Sequence, residues 1–517
     1  MAGREGTAAL HIAVHLPSSH MEYAVKQETE HEKQRPQKPQ VLPMSAFEEY
    51  MYWDSMPGYP MDCYTRLCWS GGFSHSDLEQ ALEQALQLHP LLKSRRVYRR
   101  KGRKPAWVIS PPTGVQSGAE YSLVDGVRVY WSQGPCRTAY PPAAKVPLDL
   151  DQEPPMRLVV QEEVDADGRV LRTDLAFKFH HAVSDALGAN RFISEFLILY
   201  AQRVGADLEI WKDYEWVDPK MLPTRSWCGK TFWGWVKRFF VFYRWYSRIP
   251  TMLFRRILPL AKNAEAEALK QVDAFYPAML FQALSPEQTT FWVKTCKQRG
   301  GTLNDFLLQA AFLALKDWRE AHPEQAYQEP DGRLGAFRIA VPTNLRNQAL
   351  AKLPAANMVS MTFVDRWLEQ IAPTRECFQG LHQEMKHIKD WELGFLLVMG
   401  MMDVQRYGIL RRMIRVRDCW ASMVVTNIDR AFDASGLPFP RDEQGRLQAG
   451  EAVLETLDGA SPIRPLTSVS LSSITYAGRM FLTLHYDSRL MNEELAQDFL
   501  QRVMVQMGIL LENEGWS

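Results

Sequence analysis

Two adjacent histidines and a following carboxylate, in the stretch His180-His181-Ala182-Val183-Ser184-Asp185, are the residues of this chain best suited to chemistry. An imidazole with an ordinary pKa of about 6.5 is mostly neutral at pH 7 and can take a proton from a hydroxyl or an amine. Such a base must be held in one tautomer and one rotamer, which neighbouring polar groups or a turn stiffened by an ion pair can do. Metal chemistry is not expected: adjacent histidines do not easily face one ion, and no Cys or carboxylate cluster completes a ligand set. A covalent route is not expected either, because the sequence has no Gly-x-Ser-x-Gly elbow and none of its cysteines lies in the motif.

These residues need a strand before them and a helix after them. Leu175–Phe179 alternates as a strand, and Asn190–Leu197 reads as a helix, so the histidines fall on a strand-to-helix turn that projects side chains into a cleft. Upstream, Tyr64–Trp69 reads as a strand. Leu78, Ala81, Leu82, Ala85 and Leu86 then share one helical face over Ser76–Leu88, with Ser76 as the expected N-cap. His89-Pro90-Leu91-Leu92 closes that helix, and His89 is expected to be a structural residue at its end. Strand-like segments follow near Ala106–Ile109, Val127–Trp131, Val146–Leu150 and Pro154–Val160. In the second half, Thr302–Trp318 is a strongly apolar helix whose Thr302 and Asp305 have capping-box spacing, so Asn304 and Asp305 read first as a helix start. Arg338–Arg346 predicts a strand ending in a polar loop, Met480–Asp487 a strand, and Glu493–Glu512 a closing helix.

At 517 residues the chain exceeds what one core usually supports, so two lobes are the expectation. Apolar residues make up 46% and charged residues 23%, the balance of a soluble globular protein. With 60 basic and 60 acidic residues there is no net charge to argue for nucleic acid. Seven cysteines without a C-x-x-C pair fit reduced thiols in a cytosol. No secretory leader and no spanning segment is expected; Phe395–Met402 is the longest apolar run and far shorter than the roughly 18–20 residues a span needs. The protein is therefore expected to be cytoplasmic, or peripheral to a membrane.

The expected divisions are a polar, disordered segment at 1–40, a first lobe at 41–205, an inter-lobe insertion at 206–274 and a second lobe at 275–517. Within the insertion, residues 219–264 hold ten Lys or Arg and no acidic residue, interleaved with aromatics. That pattern suits a helix lying on anionic lipid, at a membrane or a lipid droplet. It equally suits a basic helix packed on the protein with its arginines snorkelling to water.

The His-His-x-x-x-Asp segment resembles the mark of the condensation-domain-like, CoA-dependent acyltransferases, His-His-x-x-x-Asp-Gly. That superfamily includes wax ester synthases and diacylglycerol acyltransferases, alcohol acetyltransferases, peptide-synthetase condensation domains and, more distantly, chloramphenicol acetyltransferase. Ala186 stands where the family has glycine, with Gly188 two residues on. His89-Pro-Leu-Leu, Val341-Pro-x-x-x-Arg346, Asn357-x-x-Ser360 and Thr426-Asn427 follow in the order of the family's other segments. Ala356 stands where glycine is usual, and Pro154-Pro155-Met156 replaces the Pro-Leu-Trp of wax ester synthases.

The resemblance spans about residues 42–510. It implies an α/β fold of two chloramphenicol-acetyltransferase-like lobes with the active site in a tunnel between them. It further implies acyl transfer from a CoA thioester to the hydroxyl of an alcohol or lipid. His181 would be the general base, His180 would point away from the chemistry, and Asp185 would stiffen the turn with Arg346 as partner. Asn304 and Asp305 match an Asn-Asp pair of the wax ester synthases, and Ser360, Thr426 and Asn427 are candidate donors to substrate or oxyanion. No bound cofactor or metal is implied, and acyl-CoA enters as co-substrate. A carrier-protein-dependent condensation enzyme and a non-catalytic binding protein of the same fold remain the alternatives.

Overall fold

The computed structural model describes residues 39–98, 105–109, 120–137, 140–228, 234–236, 239–240, 243, 255–262, 270–272, 276–328, 335–414, 419–432 and 439–512. Two large mixed sheets, each with helices on one face, form the two lobes. Strands are numbered along the chain. The first sheet runs in the spatial order β13 (Gln448–Ala449), β14 (Ala452–Ala460), β2 (Asp62–Ser70), β8 (Val170–His180), β7 (Met156–Val164), β6 (Val127–Gln133) and β5 (Tyr121–Val124). The second runs β11 (Val359–Trp367), β10 (Ala336–Asn344), β12 (Met423–Arg430), β15 (Val469–Tyr476), β16 (Arg479–Tyr486) and β9 (Ala278–Ala283). A small sheet joins β1 (Gln40–Pro43), β4 (Pro105–Ile109) and β3 (Arg95–Tyr98). The longer helices are α1 (Ala46–Asp54), α2 (His75–Leu88), α3 (Ala186–Arg203), α4 (Pro286–Gln298), α5 (Leu303–Ala321), α6 (Arg375–Asp390), α7 (Gly394–Arg406) and α8 (Glu493–Glu512).

The strand that carries the histidines is central to its sheet, paired on both sides with β2 and β7. Its alternation sorts two faces. Phe177 and Phe179 meet Phe192 and Phe196 of α3 edge-on in the core. Lys178 and His180 point to the opposite face, where Lys178 pairs with Asp62 at 2.9 Å. Burying each of those phenylalanines contributes about 1.5–3 kcal/mol, which is what seats α3 on the sheet and fixes the turn between them.

Three local expectations change. The α2 cap is Ser74, whose hydroxyl accepts from the Asp77 N–H, rather than Ser76. Val146–Leu150 is not a strand: the Val146 carbonyl accepts from Lys178 Nζ at 2.6 Å and Arg157 Nη1 at 2.8 Å, capping two buried cations. Gln40 opens β1, and residues 1–38 of the expected disordered segment lie outside the described residues.

The second sheet takes its first strand in chain order from β9, and residues 448–460 belong to the first sheet. β14 crosses back to pair with β2 of the first sheet, and Arg66 of β2 bridges to Asp458 of β14 at 2.7 Å in a buried contact that Tyr140 completes. The two lobes therefore share a strand exchange as well as an interface.

Of the 206–274 insertion, the described part packs inward at several points. Arg225 is buried against Glu48 at 2.6 Å, Arg255 pairs with Asp365 at 2.9 Å, and Trp235 stacks edge-on with Phe395. Trp227, Phe239, Phe240 and Tyr243 are exposed. Of the ten basic residues of 219–264, Lys230, Lys237, Arg238, Arg244 and Arg248 lie outside the described residues. Among the described residues no helix is long and apolar enough to cross a membrane.

Candidate active site

His181 leaves the end of β8 with its N–H donating to the Met61 carbonyl at 2.6 Å, so the strand pairing with the β2 side continues one residue into the turn. The side chain is half-buried and lines a cleft between the lobes. Its ring Nδ1 lies 3.3 Å from the Asn357 amide Nδ2. A neutral imidazole carries one proton, and the tautomer with that proton on Nδ1 leaves the Nε2 lone pair for chemistry. The Asn357 amide Nδ2, which has two hydrogens, also donates to the His181 main-chain carbonyl at 2.5 Å. Burial pushes the His181 pKa down, opposed by its own main chain and by the charge of Asp185, so the ring is neutral at pH 7.

Asp185 ties the turn to the second lobe. It is the N-cap of α3, accepting from the Gly188 N–H at 2.7 Å, and its other oxygen accepts from the Met358 N–H at 2.7 Å and Arg346 Nη1 at 2.8 Å. Burial alone would raise this carboxyl's pKa, but the Arg346 charge and the hydrogen bonds from Arg346, Gly188 and Met358 outweigh it and hold the group below the usual range. Arg346 also donates to the Ala356 carbonyl at 2.9 Å. His180 is fully buried, accepts from the Ala182 N–H at 3.1 Å, and has its pKa pushed by burial down to about 4.

The position after Asp185 does not need a glycine here. Ala186 is the first residue of α3 and is not among the residues with positive φ. The steric demand falls on Gly188, where a Cβ would stand 2.9 Å from the Ala356 carbonyl oxygen and 3.1 Å from its nitrogen. The backbones of the two lobes meet at that point.

The cleft encloses about 670 Å³ including its open mouth. The second sheet gives it an apolar floor. Ala340 and Pro342 of β10 lie opposite Phe363 and Met361 of β11, with Val424 of β12 beside Ala340 and Val359 continuing the row. The first lobe contributes Tyr50, Met51 and Asp54 from α1, with Met61. A polar end is built by Arg464, which grips Asp54 through Nε at 2.6 Å and Nη2 at 2.7 Å and lies 4.9 Å over the Trp420 ring. A second cavity of about 320 Å³ lies beyond Val359 and Asn357, lined also by Phe47, Leu345 and Val398.

The other candidates are placed differently from one another. Ser360 points through the pleat to the opposite face of β11 from Val359 and Met361, and its hydroxyl donates to the Gly394 carbonyl at 2.6 Å. Asn304 and Asp305 start α5: the Asp305 carboxylate takes the Thr302 N–H in a capping box and meets His382 at 2.9 Å. The structure brings neither of them, nor Ser360, to the cleft wall. Asn427 closes a turn by accepting from the Asp429 N–H. Thr426 shares a hydrogen bond of 3.2 Å with Ser461, and Ser461 does line the cleft. Arg346 faces Asp185 and the Ala356 loop, and is not part of the cleft wall.

Sequence reasoning gave no role to Asn357, Asp54, Trp420, Ser461 or Arg464. Asn357 was legible only as part of a family pattern, and Asp54 and Arg464 lie 410 residues apart, with no local signal joining them. Among the described residues no group of three or more His, Cys, Asp or Glu side chains is placed to hold a metal ion.

No protein-family model and no curated protein matches this sequence. Solved structures do. The trichothecene 15-O-acetyltransferase of Fusarium sporotrichioides is similar with a TM-score of 0.59 at 14% identity, over 91% of this chain and 94% of that one. The condensation domain of the monacolin K polyketide synthase gives 0.60 at 13% identity, over 92% of this chain and 98% of that one. The starter condensation domain of rhizomide synthetase, solved with C8-CoA and Leu-SNAC, gives 0.58 at 12% identity, over 96% and 97%. The chain has the two-lobed α/β fold of these acetyltransferase and condensation-domain structures.

Proposed function

We propose that this protein transfers an acyl group from a CoA thioester to the hydroxyl of an alcohol or lipid acceptor, with His181 as the general base. The observation that carries the reading is the His181 ring itself: an imidazole whose pKa burial lowers, its main-chain carbonyl held by Asn357, and its side chain in the wall of an inter-lobe cleft. In this mechanism Nε2 takes the acceptor's hydroxyl proton as the oxygen attacks the thioester carbonyl, then returns it to the departing CoA thiolate. Asp185 and Arg346 hold the turn and do not touch substrate.

The tetrahedral oxyanion needs a donor from the facing wall. Of the cleft hydroxyls, Tyr50 has its pKa pushed up by burial and the Asp54 charge, and Thr467 donates to the Ala421 carbonyl at 2.8 Å. The Thr426–Ser461 pair shares one proton between two oxygens and keeps the other for a substrate oxygen, which makes it our choice. The apolar floor of the cleft suits an acceptor or acyl group with a hydrocarbon body. Ala186 at an unstrained helix start removes the main sequence argument for an inactive relative of the fold.

Free-thiol release from acetyl- through palmitoyl-CoA, with and without a panel of alcohols, tests this reading. Acceptor-dependent release supports it and fixes the chain-length preference. Release only from carrier-bound thioesters would replace the donor and make the protein a condensation enzyme working with a carrier in trans. No turnover with either donor would leave a binding protein.

A further inference from the structure

His89 closes α2 with its N–H on the Ala85 carbonyl, but its ring does something else. Nδ1 accepts from the Ala355 N–H at 2.9 Å, across 266 residues of chain, and Nε2 lies 2.9 Å from Glu195 Oε2 on α3. Both side chains are fully buried. A main-chain N–H can only donate, so Nδ1 is unprotonated and the ring proton sits on Nε2, donated to Glu195. Glu195 is fixed in turn: its other oxygen accepts from Arg191 Nε at 2.7 Å and the Tyr214 hydroxyl at 3.1 Å. Phe192 packs edge-on against the imidazole and leaves it one orientation.

Ala355 opens the segment that holds the base. Ala356 takes Arg346, Asn357 grips the His181 carbonyl, and Met358 donates to Asp185. Asp185 and Arg346 secure that segment from one side. Its other side hangs on the His89 ring. We propose that His89, braced by Glu195, is a positioning residue for the base: through Ala355 it fixes Asn357, and so the His181 main-chain carbonyl that Asn357 holds. Its catalytic consequence rests on the assignment of His181 given above, whereas its structural content does not.

The two ring nitrogens separate by substitution. His89→Asn keeps an oxygen near Nδ1 to accept from Ala355 and loses the Glu195 bond; His89→Gln keeps a donor near Nε2 for Glu195 and leaves the Ala355 N–H without a partner. Hydrogen exchange of the peptide spanning 353–358 and the imidazole NMR signals of His181, identified by their loss in His181→Gln, are read on both. In His89→Gln, exchange in that peptide rises about tenfold, the equivalent of one buried hydrogen bond, and the His181 signals shift. His89→Asn, which keeps the acceptor but loses the brace, gives a smaller rise in exchange and a smaller shift of the His181 signals than His89→Gln. Equal effects of the two variants, or an unchanged peptide in His89→Gln, would overturn the proposal. Should neither variant fold, Glu195→Gln and Glu195→Met decide. The glutamine retains an oxygen for the Nε2 proton and keeps the peptide protected, and the methionine does not. Equal protection in that pair refutes the brace. None of these readouts depends on the donor or the acceptor.

Discussion

Replacing Asp185 by Asn changes no volume and removes one charge, so its effect isolates what the carboxylate does. One oxygen caps α3 through the Gly188 N–H, and an asparagine oxygen keeps that bond. The other oxygen accepts from Met358 N–H and Arg346 Nη1, and an amide NH₂ turned that way meets two donors. Two charge-assisted hydrogen bonds are lost, at the lower end of 1.5–3 kcal/mol each because the Arg346 side chain is 18% exposed and recovers some water. The expected cost is therefore roughly 3 kcal/mol. Arg346→Gln should cost about 2 kcal/mol, and the double variant less than the sum by about 1.5 kcal/mol, since each single change leaves the other partner stranded. Urea denaturation followed by circular dichroism and by tryptophan fluorescence reads all four proteins, provided the two probes give coincident transitions. Exchange at 353–358 should rise in both single variants. Costs that add within about 0.5 kcal/mol, or an Asp185→Asn cost under about 1 kcal/mol, would refute the clasp between the lobes.

Gly188→Ala should destabilise by about 1–3 kcal/mol, because the new methyl meets the Ala356 backbone rather than a movable side chain. Ala186→Gly, which restores the family residue, should cost under about 1 kcal/mol and bring no gain in rate, since nothing at that helix start needs a glycine. Stability should fall as pH drops from 7 toward 4. The unfolded His180 takes a proton below about 6.5 and the folded one only at about 4, a difference of roughly 3 kcal/mol that His180→Asn should remove from the denaturation profile. The acid limb of transfer activity should lie below pH 6.5, because burial lowers the His181 pKa and protonation there removes the base; a limb above 7 would contradict that environment.

Legibility followed range along the chain. The β8 strand, the α3 helix and the turn between them were readable because alternation, helical periodicity and the motif all lie within some thirty residues. The closing helix, Glu493–Glu512, and the α5 capping box were readable for the same reason. The return of β14 to the first sheet was not, since strand pairing between residues 64–70 and 453–460 leaves no local signature. Ser360 shows the same limit within one element: a β-strand period places it opposite Val359, but only the sheet's packing says which face is the cleft. Asp54 with Arg464, and His89 with Ala355, are long-range pairs of the kind a sequence read locally does not reveal. Read as a helix terminus, His89 gave no sign that its ring reaches the other lobe.

The central claim is that the His181 ring does the chemistry without holding the fold together. Acceptor-dependent CoA-thiol release from wild type and His181→Ala, with both thermal midpoints recorded, tests it most directly. The account predicts turnover in the wild type, loss of it in the variant, and midpoints close together, because Asn357 holds the His181 main-chain carbonyl, which alanine keeps. A folded His181→Ala protein with wild-type turnover would contradict it.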